Sequence, residues 1–257
     1  MPVPGRGDGC LGRVTLGSVR YMTTTLITGA NKGLGYETAR RLVAEGHTVY
    51  VGVRDPERGR QAADRLGARL LVMDVTDEAS VLAAARRVEA DGHRLDVLIN
   101  NAGIEGRAPD GGVIGAADVT GEMMRETFDT NVFGMVRVLH AFLPLLQRSP
   151  APVVVNLSSG LSSLTGATTP GTPSYAYPGV AYPASKAAVN MITVQFAKAF
   201  PEMRINAVEP GYTKTDLNDN TGFQTVEEGA EIIVRMALIG PDGPTGALLS
   251  AHGPLPW

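Results

Sequence analysis

Cysteine is almost missing from this chain: Cys10 is the only one in 257 residues. That excludes an internal disulfide and a thiolate metal cluster, and nothing asks for an oxidising compartment. Long apolar runs are missing as well. No stretch approaches the length of a bilayer-spanning helix, and the N-terminus lacks the apolar segment of a secretory signal, so a cytoplasmic location is expected. Nor is there an excess of charge of either sign. With 23 basic against 26 acidic residues, neither a nucleic-acid footprint nor a polybasic membrane anchor can be built. His47, His93, His140 and His252 lack metal-ligand spacing, so no metal site is expected.

What remains is a globular composition, 44% hydrophobic, at a length that favours one large α/β domain over two small ones. Residues 1–21, rich in Gly, Arg and Pro and without periodicity, are expected to be a disordered leader before a domain over 22–257. Met22 directly precedes the first patterned segment and is an alternative start.

From Thr23 onward short β-rich runs alternate with helical patterns, which specifies βαβ units and a parallel sheet. Strands are expected at 24–28, 48–53, 69–73, 95–100, 152–157 and 203–208. Helices are expected near 33–45, 57–66, 77–91, 118–147 and 182–199, with Gly46 stopping the first and Thr76 capping the third. Right-handed crossovers then give a doubly wound parallel sheet in an α/β/α sandwich, with its ligand crevice at the carboxyl ends of the strands. Between 149 and 185 there is no charged residue and no His, and 160–181 reads as a long loop facing substrate.

The motifs following the strands converge on that crevice. The first strand runs into Thr28-Gly29-Ala30-Asn31-Lys32-Gly33-Leu34-Gly35, a glycine-rich turn opening a helix. Such a turn lets the backbone and the helix N-terminus approach a pyrophosphate. The second strand ends Val53-Arg54-Asp55, where an acidic residue would bind the ribose hydroxyl of NAD and an Arg suits the 2′-phosphate of NADP. Arg54, with Lys32 and Arg58, therefore favours NADP(H) over NAD(H). Asp74-Val75 and Asn101-Ala102-Gly103 follow the third and fourth strands, and Asp74 is placed to accept from an adenine amino group. In Tyr182-Pro183-Ala184-Ser185-Lys186, four helical residues bring the phenol and the ammonium to one face. A Lys in that position is expected to lower the Tyr pKa and make it a proton donor near neutrality.

Taken together, TGANKGLG at 28–35, DV at 74–75, NNAG at 100–103, Asn131, NLSS at 156–159, YPASK at 182–186 and PGYTKT at 210–215 resemble the short-chain dehydrogenase/reductase family, carbonyl-reductase-like members in particular. The resemblance implies a Rossmann-type fold and roles for particular residues. Tyr182 would exchange the proton, Ser159 would polarise the carbonyl oxygen, Lys186 would hold the nicotinamide ribose, and Asn131 would support a proton relay through water. Pro210, Gly211, Thr213 and Thr215 would seat the nicotinamide.

The spacing between Ser159 and Tyr182 is longer than in most single-domain members, which leaves Ser162 and Ser163 as alternatives to Ser159 and leaves monomer and homodimer both open. The segment 212–228 is compact for a substrate cover and carries Lys214. The expected activity is NADPH-dependent reduction of an aldehyde, ketone or quinone, or the reverse oxidation of an alcohol. The uncharged wall at 149–185 favours a neutral substrate. A non-catalytic NADP-binding regulator of the same fold is the alternative, against which the complete Ser, Tyr, Lys and Asn set argues.

Overall fold

The computed structural model describes residues 22–257, so the expected leader lies outside the described residues. Runs rich in β-branched residues form β1 (Thr24–Thr28), β2 (Thr48–Val53), β3 (Arg69–Val72), β4 (Val97–Asn100), β5 (Val153–Leu157) and β6 (Arg204–Glu209), close to the expected positions. Two short strands escaped the sequence reading, β7 (Leu248–Ser250) and β8 (Gly253–Pro254). The sheet order is β3-β2-β1-β4-β5-β6-β7-β8, parallel except for the β7–β8 pair. The order reverses between β1 and β4, whose pairing runs from Thr25 opposite Val97 to Ile27 opposite Ile99. The ligand crevice of a doubly wound sheet therefore opens at the carboxyl ends of these two strands.

Alternation along the strands divides the core between two faces. Leu26, Tyr50, Leu98, Val154 and Ile205 pack beneath α3 (Glu78–Ala90), α5 (Met135–Leu146) and α8 (Ala181–Ala199). Ile27, Val51, Ile99, Val155 and Val208 pack beneath α1 (Gly33–Ala44), α2 (Pro56–Leu66) and α9 (Val226–Ala237). With both faces covered, the strands read as near-continuous apolar runs.

Four local expectations are corrected. Thr76 does not cap α3; Asp77 does, accepting from Ala79 N at 2.9 Å, while Thr76 turns back to Asp74. The helix expected over 118–147 is α4 (Gly121–Phe128), a π-helical turn over Asp129–Gly134, and α5. The segment 160–181 is not one loop. It holds a 3-10 turn at Gly160–Ser162 and the short helices α6 (Leu164–Thr168) and α7 (Pro173–Ala176). Finally, α9 lies beyond the last helix expected, which ended near 199. Thr225 accepts from Glu228 N and Glu228 returns the bond to Thr225 N, a capping box. Among the described residues no helix is long and apolar enough to cross a membrane.

Candidate active site

A cleft of about 660 Å³ lies over the carboxyl ends of the central strands. Its floor is tied together by two residues at the switch point. Thr28 Oγ1 accepts from Asn101 N (3.0 Å) and Ala102 N (2.9 Å), while Asn101 Nδ2 donates to Thr28 O (2.8 Å) and Gly29 O (3.1 Å). Gly35 fits this knot because it has no side chain: a Cβ there would stand 2.6 Å from Asn101 Nδ2 and 2.8 Å from Gly29 O. Gly29 and Gly33 take positive φ of 66° and 56°, which opens the turn into α1. Side chains cap α2, α3, α4 and α9, whereas α1 has no side-chain cap and no acidic residue in its first turn. Its N–H groups and the positive end of its dipole suit a pyrophosphate.

Gly29, Asn31, Lys32, Gly33, Leu34, Gly35, Arg54, Asp74, Val75, Asn101, Ala102 and Gly103 all line the cleft. Burial works against ionisation of Asp74, yet the hydroxyl and N–H of Thr76, with Arg54 and Arg137 behind them, hold its carboxyl below the usual range. Arg58 stands apart. Its side chain is 71% exposed, faces Asp55 at 3.4 Å, and does not line the cleft. Of the three cations expected around a 2′-phosphate, Lys32 and Arg54 line the cleft, and these residues are chemically compatible with a dinucleotide carrying that phosphate. Lys32 itself is bonded across the cleft mouth to Asp216, at 2.6 Å.

At the other end of the cleft stand Tyr182 and Lys186, one turn apart in α8. The Lys186 ammonium lies 5.5 Å from the Tyr182 ring centroid and donates to Leu157 O at 2.8 Å. Burial pulls the Lys186 pKa down to about 8. Tyr182 moves the opposite way from the expectation. Burial raises its pKa first of all and the carboxylates of Glu105 and Glu209 add to the rise, while a hydrogen bond with Ser159 opposes it. Desolvation and the two carboxylates outweigh the opposing effect of Ser159 and favour the neutral phenol.

Of the three serines, Ser159 is the one that influences Tyr182. Ser162 Oγ is occupied with Ser159 O and with Asn190 Nδ2 (2.7 Å), and Ser163 Oγ caps α6 by accepting from Gly166 N at 2.9 Å. Asn131 is buried in the π-helical turn, its Oδ1 accepting from Ile104 N and its Nδ2 donating to Ile104 O, both at 2.8 Å, and to Ser185 Oγ at 3.0 Å. It thereby fixes the chain after Gly103 and the start of α8 relative to each other.

Beyond β6, Pro210 and Thr215 line the cleft, and a Cβ on Gly33 would touch Thr215 Cγ2 at 3.6 Å. Gly211, at φ 86°, and the buried Thr213 shape the turn rather than the cleft wall; Thr213 Oγ1 donates to Gly211 O at 3.2 Å. Lys214 does reach the cleft.

Sequence reasoning passed over Glu105, Arg107, Tyr177 and Glu209. Glu105 accepts from the Tyr177 hydroxyl and, at 2.9 Å, from Arg107 Nη2. Burial and Glu105 together raise the Tyr177 pKa. Glu209 is also pushed up by burial, although the N–H groups of Gly211 and Gly160 stabilise its anion. Two ionisable residues immediately after Asn101-Ala102-Gly103 were visible as a sign, since residues following a strand end face the crevice. Among the described residues no group of three His, Cys, Asp or Glu side chains is placed to hold a metal.

The chain matches the short chain dehydrogenase family model over residues 23–225. It is similar to a (+)-neomenthol dehydrogenase of Capsicum annuum, 33% identical over 89% of this chain and 95% of that one. It is also similar to a salutaridine reductase of Papaver bracteatum, 30% identical over 89% and 94% of the two chains. Among solved structures, the salutaridine reductase of Papaver somniferum superposes with a TM-score of 0.77 at 29% identity, covering 88% of this chain and 99% of that one. In fold, motif order and sequence, the chain belongs to the short-chain dehydrogenase/reductase family of oxidoreductases.

Proposed function

We propose that the protein reduces a neutral aldehyde, ketone or quinone with NADPH, or oxidises the corresponding alcohol in reverse, with Tyr182 exchanging the proton. One observation carries this reading: Tyr182, close to the Ser159 hydroxyl and with the Lys186 ammonium 5.5 Å from its ring centroid, lines the same cleft as the first residues of α1, whose N-terminus no side chain caps. Relatives named as a neomenthol dehydrogenase and as salutaridine reductases support carbonyl chemistry.

When bound, the reduced nicotinamide supplies the hydride. The chain's own residues orient and move a proton. Ser159, whose hydroxyl lies close to the phenol, donates to the substrate oxygen and polarises the carbonyl. The phenol is protonated near neutrality and so can act as the acid in the reductive direction, while burial and the Glu105 and Glu209 carboxylates oppose its ionisation. Lys186, anchored on Leu157 O, provides a cation that offsets charge as the phenol gives up its proton. Asn131 holds the chain at Ile104 against α8 and so keeps the cleft wall in register with Tyr182. The preference for NADP(H) rests on Arg54 and Lys32, both on the cleft and with no acidic residue at position 54.

The test is NADPH consumption against a panel of aldehydes, ketones and quinones by the parent and by Tyr182→Phe. Turnover that falls by about a hundredfold or more in the variant is expected. NADPH binding with no turnover of any substrate would overturn the reading in favour of a non-catalytic binding protein.

A further inference from the structure

A second, smaller cavity of about 170 Å³ adjoins the cleft, sharing Glu105, Arg107 and Tyr182 with it. This is below the roughly 300–1,000 Å³ of pockets that take drug-sized ligands, so whatever enters is compact. Its walls are apolar: Val113, Ile114, Val119, Met123 and Val180. Of the other polar residues lining it, Glu126 is exposed and the Thr127 hydroxyl is already donated to Met123 O at 3.1 Å. The polar groups left are those at the junction beside Tyr182.

There Glu105, only 9% exposed, has one oxygen on the Tyr177 hydroxyl and the other on Arg107 Nη2. Each carboxylate oxygen accepts more than one hydrogen bond, so both keep capacity. Arg107 Nε is buried and has no hydrogen-bond partner. An unpaired N–H of a guanidinium inside a protein is costly, and an oxygen brought by a ligand relieves that cost. As it stands the Nε is shut off from solvent, so an incoming oxygen engages the guanidinium through a small shift of that side chain. The backbone beneath is braced: Arg107 pairs with Val113, and Gly115 pairs with Gly179 from the segment carrying Tyr177. The ion pair leaves the junction with donor and acceptor capacity and no net charge.

We propose that Glu105 and Arg107 form a neutral subsite for a second oxygen function of the substrate, so that the enzyme selects small cyclic or branched hydroxyketones over plain ketones and excludes keto acids. A hydroxyl donates to Glu105 and accepts from Arg107. A carboxylate finds the Arg107 charge already cancelled and meets the anion of Glu105 instead. This rests on the carbonyl-reduction reading above and adds the substrate class to it.

The experiment compares kcat/KM for cyclohexanone, the isomeric hydroxycyclohexanones and an oxocyclohexanecarboxylate in the parent, Arg107→Met and Glu105→Gln. In the parent at least one hydroxyketone should exceed cyclohexanone by about tenfold or more, a preference that collapses in Arg107→Met. Glu105→Gln uncovers the guanidinium, and the keto acid should then gain about tenfold relative to cyclohexanone, a gain that mere structural damage does not produce. Equal use of ketone and hydroxyketone by the parent, or unchanged ratios in both variants, overturns the subsite while leaving the reduction reading intact. A second readout needs no turnover: the shift in Tm of NADP-loaded protein with cyclohexanediols against cyclohexanol. Stabilisation by a diol that depends on Arg107, with no ketone reduced, keeps the subsite and overturns the reduction reading; no discrimination in either assay overturns the subsite.

Discussion

Lys32 and Asp216 meet across the mouth of the cleft, Nζ to carboxylate oxygen at 2.6 Å, joining the glycine-rich turn to the segment that follows β6. Both side chains are about three-fifths exposed, so solvent and salt screen the pair and its strength is modest. Its importance lies in competition, because the cation that would serve a 2′-phosphate is already held by a carboxylate.

Replacing that carboxylate should therefore tighten NADPH selectively. In Asp216→Asn the affinity for NADPH is expected to rise by a few-fold, up to about fivefold for the roughly 1 kcal/mol such exposed pairs reach. NADH affinity should hardly move. Fluorescence titrations of both nucleotides at low and high salt check this, and an equal gain for both would show that Lys32 does not meet the 2′-phosphate.

Under the proposed NADPH reading, Arg54 is expected to discriminate more than Arg58, which faces Asp55 at the surface. Arg54→Asp should weaken NADPH by about ten- to a hundredfold, the range of a charge-assisted hydrogen bond, with far less effect on NADH. Arg58→Ala should leave the ratio of the two dissociation constants near that of the parent. A reversed ranking of these two arginines would move the 2′-phosphate away from the end of β2.

Lys186 gives stability a pH dependence of predictable sign. Its pKa is lowered by burial from an ordinary 10.5 to about 8, so between those values the unfolded chain binds more protons at this position than the folded one. The contribution of Lys186 to folding stability then rises with pH from about 8 to about 10.5, by a total on the order of 3 kcal/mol. Tyr182, with its pKa raised, stabilises fully below the ordinary phenol value of 10 and loses that contribution as the pH climbs further. Urea melts of parent and Lys186→Met at successive pH values should show the parent gaining on the variant between about pH 8 and pH 10. A constant difference would mean that Lys186 is charged in the folded protein across that range.

The sheet was legible in the sequence to within a residue or two at β1, β2 and β5, because strands buried on both faces appear as dense β-branched runs. The glycine turn, the Asn101 and Asp74 positions and the Tyr182 to Lys186 spacing were legible for a related reason: each lies within a few residues of a strand end or on one helix face. β7 and β8 were not. Leu248–Ser250 and Gly253–Pro254 are too short to show a period, and they exist because β6 offers an edge to pair with. The break between α4 and α5 was hidden too. Nothing in Asp129–Gly134 interrupts the helical pattern, and the π-helical turn accompanies bonds from Asn131 to Ile104, a contact between distant parts of the chain.

Local sequence, then, determined the parallel sheet, the order of its motifs and the pairing of Tyr182 with Lys186, since helical and strand periods act over a few residues. Tertiary structure decided which serine reaches Tyr182, which cations face the cleft, and the direction in which the phenol is shifted. Those outcomes depend on burial and on charges brought close by folding. Glu105 meets Tyr177 from 72 positions away, and Lys32 meets Asp216 from 184. Charge–charge attraction and desolvation depend on distance and burial in space, which the spacing along a chain does not carry.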